Sequence, residues 1–406
     1  MHISLDSALG RQRRLNSVGE SVLQIAPNAA AAYSLRSLTG GDPKVVRVRR
    51  GSNNVESDFT ASGVSSGALL DFVTTPQIGW NAQPTFSNAA GTGSVTSQSS
   101  TATTATVSFT GEASLIRETS KPNHVLGSSG DQVIFNISVS GLDSAGTLRL
   151  RTSGTNTSVG SSSVSNGNNQ DITLNLTGSA GYLAMTFVAS SGGTITFNSI
   201  KVLPKSGFVE TWYDQSGNSN DAVQETKVSQ PKIVIDGSLI SKGLDFDGTD
   251  DFLQLDAALG ATDAQSIFGV VELDALDGST ELILDNRDGG GDGSAYLAAS
   301  NQFRYLFDSN SPLAQLSAST DTSLVSAFKT SSDVAIGIDG GTLDTASNTE
   351  TLSVTTAPRI GSRSFSSGAL FFSGEIAELV LYNTDKSADR TAVETNIANH
   401  YNITLV

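Results

Sequence analysis

The chain has 406 residues, 40 acidic against 24 basic side chains, and a formal net charge of -16. It has no cysteine, and its three histidines (His2, His124, His400) lie far apart, so disulfides and thiolate chemistry are excluded and a His-rich zinc site or Ser-His-Asp triad is not expected. Charged residues are only 16% of a Ser-, Thr-, Gly- and Asn-rich sequence, the texture of extracellular or virion β-structure; the acidic balance argues against nucleic acid, and no run of about 18 apolar residues provides for membrane insertion.

Residues 1–50 run against the acidic trend, with eight basic and three acidic side chains. Arg11, Arg13 and Arg14 sit among Ile3, Leu5, Leu9, Leu15, Val18, Val22, Leu23 and Ile25, too apolar for a purely solvated tail and too short for a separate core. Residues 1–28 are expected to form an assembly arm. These arginines would make charge-assisted bonds to an acidic partner surface, or to the acidic body of the same chain. They follow the first apolar residues, and no apolar h-region comes after them, so a secretory signal is not expected. AAAAYSLRSL (29–38) predicts a short helix from its alanines, with Asn28 as cap and Gly40-Gly41 as stop. KVVRVRR (44–50) alternates as a half-buried strand does, and SGALLDFV (66–73) predicts another helical turn or two.

Near Thr74 the texture changes. Residues 74–204 contain alternating runs, TATVSF (104–109), QVIFNISVSG (132–141), TLRLRTSG (147–154), DITLNLTG (171–178), YLAMTFVAS (182–190) and TITFNSIKVL (194–203), separated by Gly/Ser/Asn turns. That spacing predicts a β-sandwich, with Trp80, Phe86, Phe109, Phe135, Tyr182, Phe187 and Phe197 as core rather than as a sugar platform. After Gly207 further strands follow. In GLDFDGTDDFLQLD (243–256), Leu244 and Phe246 face inward, Asp245 and Asp247 outward, and Gly248-Thr249 turns a hairpin. A terminal helix over 386–403, capped by Ser387 or Asp389, presents Val393, Ile397 and Tyr401 as an apolar stripe that packs on the domain.

YSLRSLTGGDPKVVRVRRGSNNVESDF (33–59) continues in texture into FVETWYDQSGNSNDAVQ (208–224). The pairing resembles the catalytic-domain fold of the fungal α-L-arabinofuranosidase B family and related domains of tailed-phage structural proteins. GLDFDGTDDFLQL, FFSGEIAELVLYN and the final helix resemble concanavalin-like or laminin-G-like sandwiches. The resemblance covers 29–73 and 205–406. It implies an all-β fold, a discontinuous concanavalin-like (jelly-roll) sandwich with short peripheral helices, which the β-sandwich of carbohydrate-binding-module type read from the alternating runs at 74–204 interrupts as an insert. In the fungal enzymes the nucleophile is a Glu shortly after a Cys-Cys-F-D-Y-G-N segment. The matched stretch here, Leu282 to Arg287, has no Cys-Cys and no Glu following it, and a glycosidase's second carboxylate has no match. The resemblance therefore implies a non-enzymatic chain.

Two segments offer ligand chemistry. Trp212, Tyr213, Asp214 and Gln215 of WYDQSGN could stack on a sugar and bond its hydroxyls, or fill the core and order an Asx turn. Asp285, Asp288 and Asp292 crowd the Gly-rich DNRDGGGDG loop, whose oxygens could bind a ligand or calcium, although the spacing departs from the calcium-loop pattern. No other cofactor is expected. The expected function is a non-enzymatic virion structural protein of a tailed phage, in head decoration, tail or fibre. Its partners would be other virion proteins or copies of itself in a homo-oligomer, and a host surface glycan. The alternative is an arabinofuranosidase-type glycoside hydrolase acting on cell-surface polysaccharide.

Overall fold

A computed structural model describes residues 19–51, 54–74, 77–78, 86–90, 92–101, 104–118, 132–152, 157–178, 180, 182–203, 206–240, 243–259, 262–288, 293–307, 313–352, 356–365 and 370–406. Arg11, Arg13, Arg14, Trp80 and Asp292 lie outside them. The protein is all-β, and its strands pair antiparallel in two separate networks. Among the described residues no helix is long and apolar enough to cross a membrane.

The larger network forms a two-layered sandwich. In one layer Gln265–Leu273 lies between Ser323–Lys329 and Ser373–Tyr382. Ser373–Tyr382 takes Leu244–Asp247 and then Ala31–Ser34 along its other edge. The second layer runs from Glu56–Thr60 through Lys44–Arg50, Gly207–Trp212, Ala222–Val223, Leu253–Leu255, Arg359–Ile360 and Glu281–Asp285 to Ser294–Ala299 and beyond. Side-chain alternation explains the layering. Ile267, Val271, Leu379 and Leu381 enter the core between the layers, while Phe268, Val270, Val380 and Tyr382 face the other way. That second face, to which Ala32 also belongs, is covered by Val393 and Ile397 of the C-terminal helix Arg390–Tyr401 and by Val22 and Ala26. Strands so covered are apolar on both sides, and every residue of Ser323–Lys329 is buried.

Three expectations from the sequence are corrected here. Residues 31–34 form a strand, not a helix: Ala31, Ala32, Tyr33 and Ser34 pair with Leu381, Val380, Leu379 and Glu378. Tertiary pairing overrides the helical preference of alanine. Residues 22–26, expected to lie in the assembly arm of residues 1–28, belong to the sandwich: Val22 and Ala26 are fully buried and the Tyr382 hydroxyl donates to the Ala26 carbonyl at 2.7 Å. Leu244–Asp247 and Leu253–Leu255 are not a hairpin. The first pairs with Ser373–Tyr382 and the second with Arg359–Ile360, so the turn between them carries the chain from one layer to the other.

The second network spans Gln77 to Leu203. Its two long strands, Ala105–Glu118 and Tyr182–Leu203, pair with each other, with a register break between Ala189 and Gly193. Before the break Tyr182–Leu203 pairs with Gly146–Arg151, and after it with Gln132–Ser140, so one strand serves two layers. Gln132–Ser140 alternates with Val133, Phe135, Ile137 and Val139 buried, and Phe86, Phe109, Phe187 and Phe197 complete a core that, among the described residues, shares none with the larger sandwich. Gln77 and Ile78 pair with Val202 and Lys201, which brings both ends of this unit to one place. On the other side of that neck Arg49 and Arg50 pair with Phe208 and Gly207, joining strands that precede and follow the unit in sequence.

Candidate functional site

The WYDQSG segment is wired into the fold. Trp212 is fully buried, with its ring 5.6 Å from that of Tyr33, so its indole is no sugar platform. The Tyr213 hydroxyl donates to Asp58 Oδ1 at 2.8 Å. Burial and this carboxylate push the phenol well above its ordinary range. Asp214 accepts from Ala32 N, Ser216 N, Ser216 Oγ and Asn220 N at 2.7–3.1 Å, an Asx turn that also anchors the strand Ala31–Ser34. Buried Gln215 accepts from Leu38 N at 2.8 Å and donates to the carbonyls of Ser34 and Arg36 at 2.9 and 3.0 Å. Of these residues, expected as ligand contacts, Asp214 and Gln215 hold the strand and loop that carry Arg36, Trp212 fills the core, and half-buried Tyr213 is tied to Asp58.

The acidic loop is also occupied by its own fold. Asp285 has no exposed surface; its Oδ1 takes Arg287 Nε at 2.6 Å and its Oδ2 takes Ser364 N and Oγ at 2.8 and 3.1 Å. It therefore does not face a ligand or a calcium ion, and Asp288 is half-buried on the loop after it. Among the described residues, the carboxylates that converge are Asp247, Asp250 and Asp251, with oxygens within 4.8 Å of one another at the turn between layers. Oxygen-rich groups of this kind suit a hard cation. Part of this set is already used: Asp247 Oδ1 accepts from Thr249 N and Asp250 N, and Asp251 Oδ2 from Asp247 N.

A groove of about 520 Å³ lies elsewhere, at the outer edge of the first layer. The loop after Ala31–Ser34 supplies Leu35, Arg36, Ser37 and Asp42; the short helix Ala61–Ser65 supplies Ser62, Val64 and Ser65; the end of the C-terminal helix supplies His400 and Tyr401. Leu239, Ile240, Gly243 and Ala377 complete it. Gly243 sits at φ +136°, where a Cβ would lie 2.2 Å from the Ile376 carbonyl, so only glycine lets this segment reach the strand Ser373–Tyr382.

Arg36 is fixed from beneath. Its Nε and Nη2 donate to the two carboxylate oxygens of Glu378 at 2.7 and 2.9 Å, and Nη1 donates to Asn396 Oδ1 at 2.9 Å. The Tyr401 hydroxyl lies 3.1 Å from Glu378 Oε2 and 3.1 Å from Ser34 Oγ; burial and Glu378 hold it well above the ordinary phenol range, so it stays protonated. The rings of His400 and Tyr401 meet edge to face at 4.6 Å, and burial and the Arg36 charge lower the imidazole below its usual value. At the rim, Asp42 accepts from Ser62 N and Oγ at 2.8 and 2.6 Å, which holds its carboxyl below the ordinary range. Sequence reasoning missed this site. Its one visible signal is an arginine set within the apolar run YSLRSL, which calls for a buried partner.

No family model and no curated protein matches this chain. Solved structures that it resembles include Trypanosoma rangeli sialidase in complex with 2,3-difluoro-KDN (19% identity, TM-score 0.35, 47% of this chain and 31% of that one). A native heptameric SAP-like pentraxin from Limulus polyphemus (13%, 0.31, 36% and 78%) and the binding domain of botulinum neurotoxin serotype D (10%, 0.34, 47% and 48%) are others. The chain thus spans under a third of the length of the sialidase it resembles. The expectation of a non-enzymatic chain is corrected by the presence of glycosidases among these structures, and it is withdrawn. Likeness of this size carries over no residue and no reaction, and the all-β sandwich class rests on the strand pairings above.

Proposed function

We propose that this chain is a virion structural component whose larger sandwich holds a glycan in the groove beside Arg36 and Tyr401. The groove's make-up carries the reading. Its floor is apolar, from Leu35, Val64, Leu239 and Ala377, and its rim offers hydroxyls and a carboxylate from Ser37, Ser62, Ser65 and Asp42 beside the aromatic pair His400–Tyr401. Sugar rings match such a surface, with C–H faces that pack on apolar and aromatic groups and edge hydroxyls that exchange hydrogen bonds. Its volume is that of an ordinary small-ligand site. The virion role is supported by the acidic, cysteine-free, Ser/Thr/Gly/Asn-rich composition, by the basic N-terminal residues, and by the resemblance of YSLRSL…ESDF and WYDQSGN to tailed-phage domains.

A glycan array probed with the wild-type protein, Ser65→Trp and His400→Ala tests the binding role. Ser65 is exposed at the groove, so the tryptophan fills it without entering the core. The reading predicts glycan retention that both variants reduce; retention unchanged in both, or none by the wild type, contradicts it. Reducing-sugar release measured on the retained glycan separates holding from cleaving. Labelling of purified particles with antibody against this chain tests the virion role.

A further inference from the structure

We infer that the groove reads unsubstituted hydroxyls: the Asp42–Ser62 pair takes a vicinal diol of the saccharide, and a sugar with either hydroxyl of that diol capped is refused. This rests on the glycan reading above. The direction of the hydrogen bonds at the rim carries it. Asp42 and Ser62 are both exposed, and both line the groove. Asp42 Oδ1 accepts from Ser62 N at 2.8 Å, and Oδ2 accepts from Ser62 Oγ at 2.6 Å. These bonds hold the Asp42 carboxyl below its ordinary range, so it is ionised at neutral pH. An ionised carboxylate only accepts, so the one hydroxyl hydrogen of Ser62 is committed to it.

The same commitment orients the next hydroxyl. Thr60 Oγ1 lies 3.1 Å from Ser62 Oγ, and with the Ser62 hydrogen on Asp42 the bond between them is donated by Thr60. Thr60 Oγ1 in turn accepts from Gly63 N at 3.2 Å. Hydrogens therefore run one way, from Gly63 through Thr60 and Ser62 to Asp42. Toward the groove, Ser62 Oγ and the Asp42 carboxylate stand side by side as acceptors, and neither has a hydrogen to give. The ligand must bring the hydrogens. Adjacent ring hydroxyls can do so together, because the two oxygens of a gauche diol are spaced much like Ser62 Oγ and Asp42 Oδ2. A methyl ether or an acetyl ester at either position brings only lone pairs to face lone pairs and a charge. A site built to bond a hydroxyl discriminates strongly against the analogue that lacks it, since its own polar groups are then left unpaired.

The test takes a saccharide retained on the array and its set of monodeoxyfluoro analogues, which keep the size of each hydroxyl and lose its hydrogen, and titrates each into the full chain by calorimetry. Replacement at two adjacent ring positions is predicted to weaken wild-type binding about tenfold or more at each, the size of a lost hydrogen bond to a charged acceptor or to its partner. In Asp42→Asn, Oδ1 still accepts from Ser62 N, so the amide N–H donates to Ser62 Oγ and turns the Ser62 hydrogen outward. The penalty at one or both of these positions is predicted to fall to within about threefold in that variant. Ser62→Ala, which removes one acceptor and keeps the carboxylate, is predicted to erase the penalty at one of the two positions only. Analogues that all bind as the parent does, in a signal that Ser65→Trp abolishes, overturn the diol reading and leave the groove as the site. Penalties that Asp42→Asn and Ser62→Ala both leave intact overturn the role of this pair. Binding that Ser65→Trp does not reduce, or binding of no member of the set, overturns the groove reading itself.

Discussion

Glu378, without exposed surface on the strand Ser373–Tyr382, receives both Nε and Nη2 of Arg36 at 2.7 and 2.9 Å. Strand pairing makes this possible. Glu378 stands opposite Ser34, and its side chain points to the same face as Val380 and Tyr382, where the C-terminal helix and the loop after Ser34 close over it. The contact spans almost the whole described sequence, from residue 36 to residue 378.

Removing one partner of this pair is predicted to be costly. Arg36→Ala should lower the unfolding free energy by about 3–5 kcal/mol, because Glu378 is left buried and unpaired. The double variant Arg36→Met/Glu378→Leu should recover most of that loss, since an apolar replacement of a buried pair is often neutral. Urea denaturation of the three proteins checks both. A double variant no more stable than Arg36→Ala would show that the loss comes from packing rather than from the stranded charge.

Asp214→Ala removes four hydrogen bonds at once, from Ala32, Ser216 and Asn220. Bonds to a charged acceptor contribute about 1.5–3 kcal/mol each and do not add fully, so a loss of at least about 2 kcal/mol is expected. The loop bearing Arg36 depends on this neighbourhood, so limited proteolysis should cut between residues 34 and 42 in the variant sooner than in the wild type. An unchanged cleavage pattern and midpoint would refute the anchoring role.

Much of the architecture was legible in local pattern. The alternation in QVIFNISVS corresponds to a strand with the expected inward residues, and the stripe of Val393 and Ile397 is the buried face of the last helix; KVVRVRR is a strand as expected, but it is not half-buried, since Arg49 and Arg50 are buried along with Val45, Val46 and Val48. Where several long-range partners decide the outcome, local pattern fails. Ala31–Ser34 is extended because a strand edge and Asp214 satisfy its backbone, which alanine propensity does not register. The Asp245–Asp251 region looks like a hairpin because alternation shows only which side is buried, not which strand is the neighbour. The groove draws on residues 36, 42, 62, 243 and 400, and no motif links them. Conversely WYDQSG stood out as chemistry because Trp, Tyr, Asp and Gln serve equally well as fold wiring.

Asp251 gives a pH dependence with a definite sign. It is 2% exposed, and burial, followed by the charge of Asp247, pushes its carboxyl up to about 7. In the unfolded chain the same group titrates near 4. Between these values the folded state keeps a proton that the unfolded state has lost. The stability this group confers is therefore complete below about pH 4 and is lost as the pH rises through about 7. Asp251→Asn retains an oxygen to accept from Asp247 N and has no proton to lose. Its denaturation midpoint relative to wild type should climb between pH 4 and pH 8; a difference that is flat across this range would contradict the assignment.

Gly243→Ala should distort the groove floor. The added Cβ would meet the Ile376 carbonyl at 2.2 Å and Ala377 Cα at 2.4 Å, in a backbone conformation that side chains rarely adopt. A loss of about 3 kcal/mol or more is expected from the combined clash and strain, read as a fall in melting temperature. A variant as stable as the wild type would show that Gly243 is not held against that strand.

The central claim is that a sugar sits in the groove between Arg36, Asp42, Ser62 and His400. Diffraction from crystals of the full chain soaked with a neutral oligosaccharide retained on the array tests it most directly. The account predicts sugar density against Tyr401 and His400 with hydroxyls on Asp42 and Ser62, and the Arg36–Glu378 pair undisturbed. Density at WYDQSG, at the Asp285 loop or on the 77–203 sandwich, with this groove empty, would contradict it.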